Sequence, residues 1–138
     1  MPRLLISARF SPVALVFLLI LAAGLGGCSR GVRTEPGAFE GPEIGLTQVD
    51  AIRVVTADAP SSGWAVSHDQ TRDRLDAQEV FVTLRRPNPA YLYGQAIVRH
   101  QIITPVRADY PIRVFGRVVD FDDEKSGAPY RLAVEDLE

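Results

Sequence analysis

The residue types of a hydrolytic site occur together once in this chain, at Ser67-His68-Asp69. A catalytic triad needs three side chains that converge in space, whereas adjacent residues of a chain point in different directions. The Gly-x-Ser-x-Gly turn that exposes a nucleophilic serine does not occur in the sequence. We therefore interpret this tripeptide as part of a polar loop and predict no catalytic residue.

The two histidines, His68 and His100, are the remaining candidates for metal ligands. They lie on different predicted elements, and the His-Glu-x-x-His spacing of zinc sites is missing. His100 alternates with Val98 and Ile102, a pattern typical of a strand. We expect His100 to be a half-buried strand residue whose ring nitrogens are hydrogen-bonded, and we predict no metal and no cofactor.

Four carboxylates, Asp120, Asp122, Asp123 and Glu124, lie close together near the C-terminus. Calcium takes six to eight oxygen ligands, and such a loop can supply several. The glycine and the distal glutamate of the calcium-loop pattern are missing from their positions. This spacing favours a solvated turn over a calcium site.

Arginines and tyrosines in the second half of the chain form a candidate binding face. Guanidinium forks suit phosphate and carboxylate groups, and aromatic rings beside them suit sugars. If they share one surface, we expect that surface to bind an envelope glycan, an anionic lipid head group or an acidic protein. The alternative is a set of scattered strand positions whose aliphatic stems cover apolar surface. The candidates are Arg85, Arg99, Arg113, Arg117, Arg131, Tyr91 and Tyr93.

The N-terminal segment has the pattern of an export signal. Its only charges are Arg3 and Arg9, and an apolar run follows from residue 13 to residue 23. Small residues come next and stop at Cys28, the only cysteine of the chain. A positive start, an apolar centre and small residues before a break are typical of export signals.

The tetrapeptide Leu25-Gly26-Gly27-Cys28 resembles the lipobox of bacterial lipoproteins. The resemblance implies that residues 1–27 are removed and that Cys28 carries diacylglycerol and palmitate at the new N-terminus. Each buried methylene of an acyl chain contributes ~0.8 kcal/mol, so two or three chains hold a small domain on a membrane. Ser29 after the cysteine implies the outer membrane, with the protein facing the periplasm, rather than the inner membrane.

Two other interpretations of this segment remain open. The first is an uncleaved transmembrane anchor, because ~20 apolar residues can span a bilayer. The strongly apolar part, residues 13–25, gives only about 20 Å of helix against a hydrocarbon core of ~30 Å. The second is an ordinary cleaved signal that leaves Cys28 as a free thiol.

Residues 28–138 hold 13 basic and all 17 acidic residues, a formal net charge of −4. This balance predicts no binding to nucleic acid. With Cys28 as its only cysteine, the chain has no internal disulfide, and its length suits one domain. Residues 28–46 are rich in glycine, proline and glutamate, which predicts a flexible tether ahead of a single β domain at 47–138.

Six runs of alternating or β-branched residues predict strands at 49–56, 64–66, 79–86, 90–104, 111–121 and 130–134. The polar stretch 68–77 is predicted as a loop, and Trp64 as a core residue. Short connections favour antiparallel order, because parallel strands need long crossovers. The predicted fold class is all-β, a small antiparallel sandwich or barrel of about six strands.

These features together predict a lipid-anchored, non-enzymatic protein of the bacterial envelope. We expect its membrane contact to be the lipid anchor and its partner to be an envelope protein. The alternative is an arginine-lined β module that binds glycan or anionic lipid. An envelope hydrolase or metal enzyme is the third interpretation.

Overall fold

The computed structural model describes residues 31–123 and 127–138. The signal prediction and Cys28 lie outside these residues. Within them, no helix is both long and apolar enough to cross a membrane.

Eight strands are present in the described part of the chain. They are β1 (Thr34–Ala38), β2 (Glu43–Val49), β3 (Ile52–Ala59), β4 (Ala65–Asp73), β5 (Gln78–Arg85), β6 (Val98–Arg107), β7 (Ile112–Val119) and β8 (Tyr130–Asp136). The predicted all-β class is confirmed, with two more strands than the sequence indicated.

The strands form a five-stranded sheet in the order β1-β8-β7-β5-β4 and a three-stranded sheet in the order β2-β3-β6. The two sheets pack as a sandwich and do not close into a barrel, which decides between the two predicted architectures. Arg53 of β3 and Asp136 of β8 join the sheets by an ion pair at 2.7 Å.

The prediction of purely antiparallel order is wrong at two places. β5 pairs in parallel with β7, from Gln78 opposite Ile112 to Arg85 opposite Val119. β1 pairs in parallel with β8. After β5 the chain crosses to the other sheet, runs back along β6 and returns as β7. The intervening segment is therefore the long crossover that a parallel pair requires.

The predicted tether at residues 28–46 contains β1 and the start of β2, which is a correction. Two apolar side chains of this segment, Phe39 and Ile44, pack against β7. A Cβ atom at Gly116 would lie 2.8 Å from the side chains of both Phe39 and Ile44. Gly116 is therefore required here for the close approach of these two side chains. Their burial and the ladder with β8 stabilise a segment whose composition alone favours disorder.

The strand predicted at 49–56 is instead divided between two strands. β2 ends at Val49 and β3 begins at Ile52, joined by the two-residue turn Asp50-Ala51. Asp50 has a φ of 53°, a left-handed conformation that aspartate tolerates better than most residues. Because the turn contains no glycine, the sequence carries no glycine signal for this tight hairpin.

Two further boundaries differ from the prediction. Residues 68–73, predicted as loop, belong to β4, an edge strand whose polar side chains face solvent on one side. The strand predicted at 90–104 begins only at Val98, and it continues through Pro105. Pro105 lies where the register between β3 and β6 shifts, a place where a strand tolerates the loss of a backbone donor.

The core lies between the two sheets. Val80, Val82 and Leu84 of β5 are fully buried there, as are Val55 of β3 and Val114 of β7. The half-buried Trp64 packs against this cluster, as predicted. Alternate residues of β5 and β7 therefore point to the core, and the residues between them form the outer face of the five-stranded sheet.

Candidate functional site

The structure does not bring the seven predicted binding residues together on one face. Arg99 lies on the three-stranded sheet, whereas Arg85, Arg113 and Arg117 lie on the five-stranded sheet. Arg131 lies on β8, and Tyr91 and Tyr93 lie in the loop between β5 and β6.

Three of these arginines form ion pairs with carboxylates of the same sheet or a neighbouring turn, and those of Arg99 and Arg113 are shorter than that of Arg131. Arg99 binds both carboxylate oxygens of Asp58, at 2.7 and 2.6 Å. This hydrogen bonding lowers the pKa of Asp58 and raises that of Arg99. Arg113 lies 2.8 Å from Asp76 and 3.4 Å from Glu135. An anionic ligand would have to compete with these carboxylates for either arginine.

Arg85 holds a loop in place. Its Nη1 donates to the carbonyl oxygens of Asp120, Phe121 and Asp123, at 3.0, 3.1 and 3.0 Å. Asp120 also pairs with Arg86 at 3.0 Å. The acidic turn predicted at 120–124 is therefore fixed by arginine hydrogen bonds, as far as residue 123.

Arg131 is 3.9 Å from Glu35 of β1, at the edge of the sheet.

Arg117 belongs to a network that the sequence did not reveal. Its Nε donates to Thr83 at 2.8 Å, and its guanidinium lies 4.5 Å from the centre of the Tyr130 ring. The contact with the aromatic face stabilises the positive charge of the guanidinium.

Asp69 completes this network. Its Oδ2 accepts hydrogen bonds from Thr83 at 2.5 Å and from the Tyr130 hydroxyl at 2.8 Å. Burial is the main cause of the raised pKa of Tyr130, and the hydrogen bond to the Asp69 carboxylate raises it further. A register shift between His68 and Gln70 gives β4 an extra residue at this point. An irregularity of this kind has no signature in a single sequence.

The tripeptide Ser67-His68-Asp69 therefore lies on β4 and not in a loop. Its aspartate bonds to Thr83 and Tyr130, while His68 Nε2 bonds to Thr71 at 2.9 Å. His68 and Asp69 have separate hydrogen-bond partners, so these three residues do not form a Ser–His–Asp relay.

His100 is half-buried on β6, as predicted, but the predicted hydrogen bonding is wrong for Nε2, which is buried without a partner among the described residues. No group of three or more histidine, cysteine, aspartate or glutamate side chains in metal-binding proximity occurs in residues 31–123 and 127–138.

Aromatic rings cover the outer face of the five-stranded sheet. Phe81 stacks on Phe115 with ring centres 5.1 Å apart and meets the edge of Tyr130 at 5.2 Å. The guanidinium of Arg72 lies 5.1 Å from the centre of the Phe81 ring. Phe81 is consequently fully buried although it points away from the sandwich core. Side chains of the five-stranded sheet itself therefore shield this face from water.

The outer face of the three-stranded sheet is different, and we identify it as the candidate functional site. Its register places Thr47, Val54 and Ile103 side by side across the three strands. In the next row, Val49 lies beside Ile52, and Arg107 of β6 lies on the other side of Ile52. Ile103 is 76% exposed and Val49 and Ile52 are also exposed, whereas Val54 between them is only 2% exposed. We call Val49, Ile52, Val54 and Ile103 the apolar patch.

The other half of this face is polar. Glu43, Asp58 and Arg99 form one row across the three strands, and Gly45, Thr56 and Gln101 form the next. A shallow groove lies over Gly45 and is lined by these side chains. The face therefore combines an exposed apolar half with a polar half that can orient a partner through hydrogen bonds and charge.

The sequence contained a signal for the apolar patch. In β3 and β6, apolar residues occur on both faces of the strand, as in Val54-Val55 and Ile102-Ile103. This pattern is compatible with burial on both sides, and only the structure shows that one side is uncovered. No family model matches this chain, and neither a curated protein nor a solved structure matches it.

Proposed function

We propose that this chain is a lipid-anchored protein of the bacterial envelope that binds an envelope protein through the outer face of its three-stranded sheet. The lipobox Leu25-Gly26-Gly27-Cys28 supports the anchor. The geometry of the apolar patch supports the binding function.

The exposure of Ile103 beside Val54, and of Val49 and Ile52 in the next row, is the observation that carries the binding function. Contiguous exposed apolar surface bordered by polar residues is characteristic of protein interaction sites. The central Val54 is already dry, so a partner would remove water from the rim of the patch and enclose its centre. The favourable free energy of binding would therefore come from burying the exposed side chains of Ile103, Val49 and Ile52.

The polar half of the same face supplies specificity. Asp58 and Arg99 form a bidentate pair on this surface, flanked by Glu43. Charged groups at the rim of an interface fix its register and its association rate more than its affinity. The proposed partner therefore presents an apolar side chain to Ile103 and polar groups to the row of Glu43, Asp58 and Arg99.

The anchor is tested by metabolic labelling with palmitate. The wild-type chain should incorporate label and run with the membranes, and Cys28→Ala should do neither. Equal labelling of the two chains would contradict the proposed anchor.

The binding face is tested by a photo-crosslinking amino acid at position 103 in intact cells. We expect one saturable adduct of defined mass, lost when Ile52→Asp is introduced in the same chain. The matched control places the same amino acid at Leu75, an equally apolar and fully exposed position in the β4–β5 turn. An adduct of twice the chain mass would identify a second copy as partner. The absence of an adduct specific to position 103 would overturn the proposed binding face.

A further inference from the structure

The loop between β5 and β6, residues 86–97, is the longest connection between successive strands whose residues are all described. It exposes three large side chains with apolar character, Tyr91, Leu92 and Ile97. Leu92 is 104% exposed, as open to water as in an unfolded chain. We call these three residues the apolar tip.

The loop is ordered by its own contacts. The backbone N–H groups of Tyr91 and Ala90 donate to the backbone carbonyl and the side-chain oxygen of Asn88, at 3.2 and 2.9 Å. Ser62 N–H donates to the Gly94 carbonyl at 3.3 Å, which ties the loop to the β3–β4 connection. The Tyr93 ring lies so close to Gly63 that a Cβ there would be 2.6 Å away. The apolar tip is therefore presented by a fixed scaffold.

The apolar tip and the start of β1 lie at the same end of the sandwich. β5 ends at Arg85, next to the end of β7, and Arg86 N–H donates to the Val119 carbonyl at 2.9 Å. β8 starts at this end, and its Tyr130 pairs with Thr34, the first residue of β1. The chain thus enters the sandwich from the end that carries the apolar tip.

Only residues 29–33 separate Cys28 from β1. From Cys28 to Thr34 there are six residue steps, which at ~3.3–3.6 Å each reach at most about 22 Å. A lipid at Cys28 would therefore keep this end of the sandwich close to the bilayer. The opposite end, where Leu75 lies in the β4–β5 turn, is one strand length further away, about 25 Å for eight residues.

We propose that the apolar tip inserts into the interfacial region of the membrane that holds the lipid anchor, so that the sandwich is held at two points. This inference rests on the anchor of the proposed function. Tyrosine and aliphatic side chains are favoured at the boundary between head groups and acyl chains. A single flexible attachment leaves a domain free to tumble, whereas a second contact fixes which side faces the periplasm.

Charge at this end identifies the kind of lipid. Asp122 and Asp123 lie in the neighbouring loop, and Arg86 is paired with Asp120. Arg85 and Arg86 lie beside these carboxylates, so this end has no excess of positive charge to attract an anionic surface, and zwitterionic head groups suffice. The contact is therefore apolar in origin, and added salt should not weaken it.

The test uses the full lipidated chain, purified from bacterial membranes and reconstituted in phosphatidylcholine–phosphatidylethanolamine vesicles. Leu92→Cys and the matched control Leu75→Cys each carry an environment-sensitive fluorophore, since acylation blocks the thiol of Cys28. We expect the fluorophore at position 92 to be quenched by nitroxide-labelled lipid and protected from aqueous iodide. The fluorophore at position 75 should show the opposite behaviour, and raising the salt concentration should change neither.

Palmitate incorporation in the same preparation separates the two proposals. Without incorporation, the anchor itself fails. With incorporation, equal iodide quenching at positions 92 and 75 would overturn the membrane contact and leave the anchor standing. Protection of position 92 from both quenchers would also overturn it, because a protein and not lipid would then cover the apolar tip.

Discussion

The outer face of the five-stranded sheet is covered by side chains of its own strands, whereas that of the three-stranded sheet is open. On the first, Phe81 lies beneath Phe115, Tyr130 and Arg72 and is fully buried. On the second, Ile103 is 76% exposed beside other apolar residues. The first face therefore contributes to stability within the chain, and the second is available to a partner.

This difference separates residues that hold the fold from residues that serve an interface. The arginines near the covered face act within the protein, on loop carbonyls, aromatic rings and carboxylates. On the open face, Val54 of the apolar patch is buried, whereas Val49, Ile52 and Ile103 are exposed. Substitutions on the covered face should therefore lower the free energy of unfolding. Substitutions on the open face should weaken binding of the partner and leave the free energy of unfolding nearly unchanged.

Phe81→Ala should give the largest loss of stability. Removing a fully buried aromatic side chain costs about 3–5 kcal/mol of unfolding free energy. Ile103→Ala, at an exposed position, should cost less than about 0.5 kcal/mol. Urea unfolding of the chain from residue 29 onward measures both. A small loss at Phe81 would show that the covered face does not stabilise the sandwich.

Asp69→Ala should give the second largest loss of unfolding free energy. It removes the acceptor of two nearly buried donors, Thr83 and Tyr130, and unsatisfied donors of this kind cost about 1–3 kcal/mol. Ser67→Ala, on the same strand and exposed, is the matched control. Equal unfolding free energies for the two variants would exclude a structural role for the network.

Tyr130→Phe should lower the unfolding free energy by about 0.5–1.5 kcal/mol through the lost hydrogen bond to Asp69. It should also change the alkaline pH dependence. Burial raises the pKa of Tyr130 in the folded state, so its stabilisation is present below the unfolded value of about 10 and is lost as pH rises through the folded pKa. Unfolding free energies measured from pH 8 to pH 11 should fall less steeply in Tyr130→Phe than in wild type. Identical slopes would contradict this assignment.

The pair of Asp58 and Arg99 on the open face should give the smallest effect. Hydrogen bonding to Arg99 lowers the pKa of Asp58, so the stabilisation is present above the unfolded pKa and is lost as pH falls through the folded one. Both side chains are near solvent, so salt should reduce the effect. Arg99→Gln should weaken the acid dependence of stability in wild type and leave it unchanged in Asp58→Asn. An equal effect of Arg99→Gln in both backgrounds would show that the two side chains are not coupled.

The sequence predicted the fold class because alternation in β5 and β7 is strong and glycine and proline mark several turns. It did not predict β1, because that strand has little apolar character and depends on β8 for its hydrogen bonds. It also missed Asp69, whose position depends on a register shift. Whether the arginines share one face or are scattered stayed open, because strand parity does not tell which sheet a strand joins. The open side of β3 and β6 could be recognised only once the sheet order was known.

The most direct test of the open face compares thiol labelling in intact cells and in purified protein. Ile103→Cys lies on the open face, and Ser67→Cys lies at an exposed position on the outer face of the five-stranded sheet. We expect a periplasm-permeant, inner-membrane-impermeant maleimide to label both variants in the purified chain. In cells, it should label Ser67→Cys while Ile103→Cys is protected. Equal labelling of Ile103→Cys in cells and in purified protein would contradict the proposal that this face is bound by a partner.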